Sequence, residues 1–217
     1  MTNRRPAVTA ATALLLVLLS IGAASAADPT FYVYGAAGHS TADPGIVQSD
    51  VDAAVRAAGA TNVSSMVNNT DFGYKILVGA MFNQNFGVEA GYASLGTATY
   101  NASFTGGSVK VDAKFDGFVI GLIGVAPANE TVSVFAKLGV VDATVKDTVS
   151  ATGSGRNAVG NVSDTSWKPN FGLGAMITVT SSAYLRLELE RFKDVGNDST
   201  TGTSNVDLIS AGLLVKF

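Results

Sequence analysis

The last eleven residues of the chain alternate between two faces in a pattern that strongly constrains the fold. The residues on one face, counted back from Phe217 in steps of two, are all apolar: Val215, Leu213, Ala211 and Ile209. Because successive side chains of a strand point to opposite sides, the run predicts a β-strand with one continuous apolar face. Such a strand, ending on an aromatic residue, is typical of a barrel that closes inside a membrane.

The first 26 residues have the parts of an export signal. Two arginines precede an almost uncharged segment, residues 7–24, and the small residues Ala24-Ser25-Ala26 follow as a cleavage site. We therefore predict a signal peptide, residues 1–26, and one domain, residues 27–217. The alternative is an N-terminal membrane helix, but the apolar run is shorter than the roughly 20 residues that a membrane span requires.

Composition limits what the remaining domain can bind. Removal of residues 1–26 changes the net charge from -3 to -5, which argues against a nucleic-acid partner, since such a partner requires a basic surface. The chain has no cysteine, so disulfides do not stabilise it. Hydrophobic residues make up 47% of the chain, and 24 residues are glycine. No later segment has the length of an apolar transmembrane helix, and hydrophobicity spread over short alternating segments is typical of a membrane barrel.

Eight segments of the domain alternate in this way and are predicted strands. Their approximate bounds are 31–38, 72–82, 86–95, 113–125, 131–141, 168–179, 183–192 and 206–217. The connections are alternately long and polar (39–71, 97–112, 142–166, 193–205) and short (83–85, 126–130, 180–182). For 97–112 the alternative is that parts of it extend the flanking strands. This asymmetry predicts an all-β fold, an eight-stranded antiparallel up-and-down transmembrane β-barrel, with short periplasmic turns and long outer loops.

A soluble eight-stranded barrel is the alternative fold, and it would direct its apolar faces inward. Gly87 and Gly91 share a predicted face with Glu89, and small residues suit the crowded interior of a narrow barrel. Aromatic residues also collect near the ends of the apolar faces, where interfacial girdles are expected: Phe72, Phe82, Phe86, Tyr92 and Phe217. Together with the export signal, this pattern favours the outer membrane of a bacterium.

The first long connection contains a segment with a helical pattern. Ser49 is a candidate N-cap, Asp50 and Asp52 suit a helix N-terminus, and Gly59 can end the helix. We predict a short helix in this loop. It either contacts a partner or the lipopolysaccharide surface, or it merely orders a long loop.

Four segments resemble the transmembrane domain of the OmpA family. They are residues 73–92 (from Gly-Tyr-Lys to Phe-Asn-Gln-Asn-Phe-Gly-Val-Glu-Ala-Gly-Tyr), 135–139 (Phe-Ala-Lys-Leu-Gly), 185–188 (Leu-Arg-Leu-Glu) and 213–217 (Leu-Leu-Val-Lys-Phe). The resemblance covers nearly the whole domain, and the four motifs follow the order of the family. The sequence stops at the last predicted strand, so we expect a barrel without the family's peptidoglycan-binding domain.

The resemblance also implies a network of charges inside the barrel. Glu89 and Arg186 fall at the family's inward glutamate and arginine, which would form a charge-assisted pair. Lys137 and Glu188 match further charges of the lumen.

Two charges of the family are missing from this sequence. Leu122 and Met176 stand where the family has a lysine on the fourth strand and a glutamate on the sixth. Because both charges are lost together, neither leaves an unpaired partner. We therefore expect a more permanently closed lumen than the family's, with Leu122 and Met176 packed across it.

The resemblance further implies the partners of the barrel. Leu213, Val215 and Phe217 would face the membrane from the C-terminal strand, and the barrel-assembly machinery would recognise this strand. Outer-membrane lipid and lipopolysaccharide would surround the wall. The outer loops have no recognisable binding motif, so a surface ligand is left open.

Few residues suggest catalysis or a metal site. His39 is the only histidine and lies beside Ser40, and small outer-membrane barrels include lipid A-modifying enzymes that use histidine and serine. Adjacent residues of a strand point to opposite sides, so we expect a rim histidine and no enzyme. We predict no cofactor and no transition-metal site. The loop acids Asp142, Asp147 and Asp164 either meet divalent cations or are simply solvated.

The leading hypothesis from the sequence is a small structural outer-membrane barrel with a mostly plugged lumen and a surface role. The first alternative is a narrow channel for small or apolar solutes, like the OmpW group. The second is a lipid A-modifying enzyme built around His39.

Overall fold

The computed structural model describes residues 29–153 and 156–217. The predicted signal peptide, residues 1–26, lies outside the described residues and stays a prediction. Within the described ranges, no helix is both long and apolar enough to cross a membrane.

Nine strands and one helix form the described part of the chain. The strands are β1 (Thr30–Asp43), β2 (Ser64–Asn68), β3 (Thr70–Met81), β4 (Phe86–Phe104), β5 (Gly107–Pro127), β6 (Val132–Gly153), β7 (Arg156–Thr178), β8 (Ala183–Asn197) and β9 (Gly202–Lys216). The helix, α1, is Gln48–Ala57. Each strand of the ring pairs antiparallel with the next, in the order β1, β3, β4, β5, β6, β7, β8 and β9. The first and last of these strands also pair, from Tyr32 with Lys216 to Asp43 with Asn205. The predicted eight-stranded up-and-down barrel is therefore confirmed.

Side chains alternate across the wall as the pattern predicted. On β8, Leu185, Leu187 and Leu189 are exposed on the outside. The intervening residues of this strand point into the barrel and are buried. Because the exposed side of this stretch of β8 is apolar, it suits hydrocarbon, and the charged groups of the same stretch point into the lumen.

Three short turns join strands at one end of the barrel, which we call the short-turn end. The side chains of Asn83, Asn129 and Thr180 close these turns in the same way, by accepting hydrogen bonds from backbone N–H groups two and three residues later. The distances range from 2.8 to 3.3 Å. Side-chain oxygens of this kind substitute for backbone acceptors in turns.

At the opposite end, the long-hairpin end, the loops predicted at 142–166 and 193–205 are wrong, whereas 97–112 follows the alternative, an extension of the flanking strands. Residues 97–112, 142–166 and 193–205 lie mostly in strands that extend the hairpins β4–β5, β6–β7 and β8–β9. Polarity misled the prediction, because these segments keep a period of two with a polar outer face. On β5, for example, Val111 and Phe115 point inward while Lys114 is exposed. Polar outward residues are expected wherever a strand leaves the membrane for water.

The extended hairpins do not all stay in the ring. β8 pairs with β7 only from Asn170–Phe192 to Thr178–Tyr184. Beyond Asn170, β7 continues to pair with β6 as far as Arg156, while β8 continues with β9. Backbone pairing therefore closes the wall near the short-turn end. At the long-hairpin end, β7 and β8 are no longer paired with each other.

The first long connection contains the predicted helix and an unpredicted strand. β2 continues the line of β3 and pairs with the outer part of β4. The predicted N-cap is wrong: Val47 occupies that position without a side-chain cap, and Ser49 lies inside the helix. Gly59 follows the helix with φ +95°, a conformation that glycine adopts without strain.

Polar contacts anchor α1 to the wall. The Tyr100 hydroxyl donates to Asp52 at 2.6 Å, and the Gln48 amide donates to the Ser65 hydroxyl at 2.8 Å. The hydrogen bond from Tyr100, followed by one from Ser65, holds the pKa of the Asp52 carboxyl below its usual value. No residue of α1 is fully buried, so the helix depends on these contacts.

We expect Tyr100→Phe to raise the pKa of Asp52 toward its ordinary value, because the carboxylate loses its strongest donor. A lowered pKa in the folded state stabilises the anchor above the ordinary carboxyl pKa. That stabilisation is lost as the pH falls through the lowered value. An NMR titration of the Asp52 carboxyl measures both effects. Tyr74→Phe, a change on the outer wall, is the control, and an unaltered Asp52 titration in Tyr100→Phe would contradict the anchor.

A second prediction concerns the seam between β1 and β9. A Cβ atom at Gly212 would clash with the carbonyl oxygen of Gly35 and would lie 2.6 Å from the Cα atom of Ala36. We expect Gly212→Val to destabilise the barrel by about 1–3 kcal/mol, the usual effect of overpacking. Gly35→Ala is the matched control, because a Cβ there meets nothing within 4 Å. Equal unfolding midpoints of the two variants in micelles would refute a close-packed seam.

Candidate functional site in the barrel lumen

Six charged side chains form a layer across the lumen, and we call them the charged layer. They are Lys75 on β3, Glu89 on β4, Lys137 on β6, and Arg186, Glu188 and Glu190 on β8. All six are at least nine-tenths buried. The three charges of β8 occupy consecutive inward positions because they are two residues apart.

Two lysines bracket two glutamates in this layer. The Lys75 Nζ atom lies 2.8 Å from Glu188 and 2.6 Å from Glu190. The Lys137 Nζ atom lies 2.9 Å from Glu188 and 2.6 Å from Glu190. The Asn170 amide also donates to Glu190, at 2.7 Å. Two adjacent carboxylates on one strand would repel each other, and the cations from β3 and β6 offset that repulsion.

Arg186 occupies the other half of the charged layer. Its guanidinium donates through both terminal nitrogens to the Glu89 carboxylate and approaches Glu188 at 3.1 Å. The rings of Tyr34 and Phe135 lie 4.4 and 4.2 Å from its central carbon. A planar guanidinium suits this position because it forms a forked ion pair and stacks on aromatic rings.

The charges of the layer balance, with three cations and three anions. Transfer of a single ion from water into a protein interior costs several kcal/mol, and pairing with opposite charges offsets part of that cost. Among the described residues, the Nε atom of Arg186 has no hydrogen-bond partner. The hydroxyl of Tyr32 donates to Glu89 at 2.8 Å and supplies a further partner. The arrangement is therefore a neutral, mutually bonded unit.

The structure brings together Glu89, Lys137, Arg186 and Glu188, the four lumen charges expected from the sequence. Sequence reasoning missed two members, Lys75 and Glu190. Each had a signal: Lys75 shares an inward face with small and apolar residues, and Glu190 follows Glu188 at a spacing of two. A charge on a face otherwise made of inward residues requires partners, and that requirement could have identified both.

The expected contact of Leu122 with Met176 is wrong. Leu122 is 58% exposed and points outward, whereas its neighbour Ile123 is 2% exposed and points into the lumen. Both faces of this part of β5 are apolar, so the sequence pattern does not distinguish inside from outside. Pairing fixes the register, because Glu89 lies opposite Gly121 on β5 and both must point inward. Met176 does lie in the lumen.

Two apolar clusters flank the charged layer. The outer cluster, toward the long-hairpin end, consists of Ala42, Ala93, Leu95, Ala98, Ala113, Phe115, Val119, Val141, Ala143, Val145, Phe192, Val195, Val206 and Leu208. The inner cluster consists of Tyr32, Tyr34, Ala36, Leu77, Ile123, Phe135, Met176 and Leu214. Charged and apolar side chains therefore fill the lumen in three successive layers.

A cavity of about 410 Å³ lies at the short-turn end. Its walls include Tyr32, Ile123, Met176 and Leu214, which belong to the inner cluster, and Lys216 lies at its rim. The cavity therefore ends at the inner cluster.

The adjacent residues His39 and Ser40 point to opposite sides of β1. The His39 side chain is exposed outside, whereas the buried Ser40 hydroxyl donates to the carbonyl of Leu95 at 2.5 Å. Within residues 29–153 and 156–217, no group of three histidine, cysteine or acidic residues is arranged to hold a metal.

The C-terminal strand completes the wall. Leu213, Val215 and Phe217 are exposed on the outer side, and the backbone N–H of Phe217 donates to the carbonyl of Phe31 at 3.0 Å.

We expect Glu89→Ala to destabilise the barrel by about 3 kcal/mol, because it leaves Arg186 buried without its main partner. Asp207→Ala is the matched control. It breaks another arginine–carboxylate pair, with Arg191, that is exposed on the outer wall, and exposed pairs contribute little to stability. Unfolding in micelles measures both variants. Equal losses would show that the charged layer does not stabilise the barrel.

The family model described as the OmpA-like transmembrane domain matches residues 26–217. The comparison with curated proteins gives no match.

Several solved structures are similar in fold. Ail, the attachment invasion locus protein of Yersinia pestis, solved in complex with the heparin analogue sucrose octasulfate, has 15% identity and a TM-score of 0.50, covering 87% of this chain and 97% of Ail. Neisserial surface protein A has 15% identity and a TM-score of 0.46, covering 88% of this chain and 100% of that one. OprG from Pseudomonas aeruginosa has 12% identity and a TM-score of 0.45, covering 87% and 95%.

The likeness to Ail concerns the fold alone and agrees with the ring of eight strands. The family match extends over the complete ring and its C-terminal strand. The chain therefore belongs to the OmpA-like transmembrane domain family and is a β-barrel of the bacterial outer membrane.

Proposed function

We propose that this protein is a structural component of the outer membrane whose lumen is closed to solutes. One observation carries the proposal: the charged layer crosses the lumen between two apolar clusters. A solute would have to separate ion pairs that are buried and mutually bonded. Eight strands enclose an interior only wide enough for side chains, so the three layers leave no continuous path.

A narrow channel is the second candidate, and the cavity at the short-turn end favours it. This cavity of about 410 Å³ is large enough for a small solute. However, it ends at Tyr32, and the hydroxyl of Tyr32 is bonded to Glu89 of the charged layer. The cavity is better explained as a water-filled vestibule below a plug.

We further propose that the barrel is not an enzyme. His39 and Ser40 cannot form a nucleophile–base pair, because their side chains lie on opposite sides of the wall. The Ser40 hydroxyl is already bonded to a backbone carbonyl.

The remaining surface supports a role in contact with the exterior. The hairpins β4–β5 and β6–β7 extend far beyond the point where β8 leaves β7, and they present a polar sheet outside the membrane. At the other end, the apolar outer face of Leu213, Val215 and Phe217 is what the barrel-assembly machinery would recognise during insertion. We propose that a signal peptide, residues 1–26, directs this export.

We expect the purified protein to give no discrete conductance in planar bilayers. The charged layer and the two apolar clusters block the lumen one after another, so Met176→Ala should also give no discrete conductance. This change widens only the inner cluster and leaves the charged layer and the outer cluster intact. Phe115→Ala combined with Phe192→Ala tests the outer cluster in the same way.

Each variant needs a check of folding, which a shift in gel migration between unboiled and boiled samples provides. Reproducible single-channel steps from the unaltered, folded protein would refute the closed lumen and favour the channel.

A further inference from the structure

The outward face of β4 to β7 carries four residues at one level of the pairing register, three of them aromatic, and we call them the aromatic row. Tyr92 lies opposite Phe118, and their ring centroids are 5.6 Å apart in an edge-on arrangement. Asp142 and Trp167 continue the same row on β6 and β7. Aromatic girdles mark the boundary between hydrocarbon and headgroups. The residues just beyond this row therefore face the headgroups of the outer leaflet.

Two lysines lie directly opposite each other beyond the aromatic row. Lys114 on β5 pairs with Lys146 on β6, and both side chains are exposed on the outer face. They are four residues farther along their strands than Phe118 and Asp142, which corresponds to about 13 Å along each strand. With strands tilted by roughly 40°, the pair lies about 10 Å above the aromatic row.

Like charges directly opposite on one face of a sheet destabilise the pairing, so this pair requires an explanation. The Lys114 Nζ atom lies 3.4 Å from Asp116 and is only partly neutralised. Within the described part of the chain, Lys146 forms no ion pair. By contrast, Lys110, the next outward lysine beyond Lys114 on β5, is paired with Asp112 at 2.6 Å.

Hydroxyl groups surround the two lysines on the same face. Thr97 lies opposite Lys114, and Ser163 lies opposite Lys146, so the four residues form one row across β4 to β7. Thr144 and Thr165 lie two residues nearer the aromatic row and are bonded to each other at 2.9 Å. Ammonium and hydroxyl donors together suit the oxygens of a phosphate group.

The carboxylates near this row limit where an anion can bind. Asp116 and Asp142 lie on the membrane side of the lysines, and Asp112 lies on the far side, where Lys110 and Thr99 already bond to it. Asp71 on β3 accepts a hydrogen bond from the backbone N–H of Thr97 at 2.8 Å and so lies at the β4 end of the row. An anion is therefore repelled above, below and at that end, and is attracted to Lys114 and Lys146.

We propose that Lys114 and Lys146 form a binding site for a phosphate group of the glycolipid in the outer leaflet. The site lies on the outside of the wall at headgroup height, so a membrane-embedded lipid reaches it directly. The proposal does not depend on whether the lumen conducts.

The test uses the purified barrel and defined lipid A. Trp167 is the only tryptophan of the chain and lies on the same face, so its fluorescence reports binding of lipid A in detergent. We expect Lys114→Ala combined with Lys146→Ala to weaken binding of bisphosphorylated lipid A by about twenty-five-fold. This value is the product of about fivefold weaker binding for each lysine lost near an anionic lipid surface.

Matched variants separate the site from general charge effects. Lys110→Ala removes one exposed lysine of the same strand and should change the affinity less than about twofold, since that lysine is already paired. Lys114→Arg combined with Lys146→Arg keeps both charges and should retain binding. Unchanged gel migration of unboiled samples shows that each variant is folded.

Three outcomes would overturn the proposal. The first is equal affinity of the double alanine variant and the unaltered protein. The second is equal binding of lipid A from which the phosphates have been removed, which would indicate apolar contact alone. The third is complete competition by inorganic phosphate at the concentration of the lipid, which would indicate a site for free anions.

Discussion

The pairing of the first strand with the last is the constraint on which the rest of the structure depends. In hydrocarbon an unpaired peptide group costs several kcal/mol, so neither edge of the sheet can be left open within the membrane. β1 and β9 remove both edges by pairing from Tyr32 to Asp43. Once the ring is closed, half of the side chains must enter a space only wide enough to be filled by them. The contents of the lumen follow from that closure.

The charged layer shows how such a space is filled without losing rigidity. Glu188 and Glu190 lie on one strand, but their cations come from β3 and β6, strands that are not neighbours of β8 in the ring. Backbone pairing joins only adjacent strands. The ion pairs therefore brace the ring across its diameter, a direction in which the sheet has no hydrogen bonds of its own.

The sequence predicted the alternation of side chains within each strand more reliably than the length of the strands. The alternation of Leu185, Leu187 and Leu189 with charged residues indicated a strand. The resemblance of Arg186 and Glu188 to the family's lumen charges predicted which side of it meets lipid, and the structure agrees. On β5 both faces are apolar, so the orientation of Leu122 depended on pairing that a single strand does not encode. The segments beyond the membrane were predicted as loops because their outer faces are polar. Their length as strands depends on partners across the sheet, which local polarity does not report.

The parting of β7 from β8 has a consequence for the depth of the protein in the bilayer. On the side of β7 that faces β8, backbone pairing stops at Asn170, and the strand continues for more than ten residues with that side unpaired. Water can hydrate such an edge, whereas hydrocarbon cannot. The level of Asn170 therefore marks the boundary between hydrocarbon and water on this side of the barrel. Phe171 and Trp167, exposed on the outer face below and above it, are the aromatic residues that would lie on either side of this boundary.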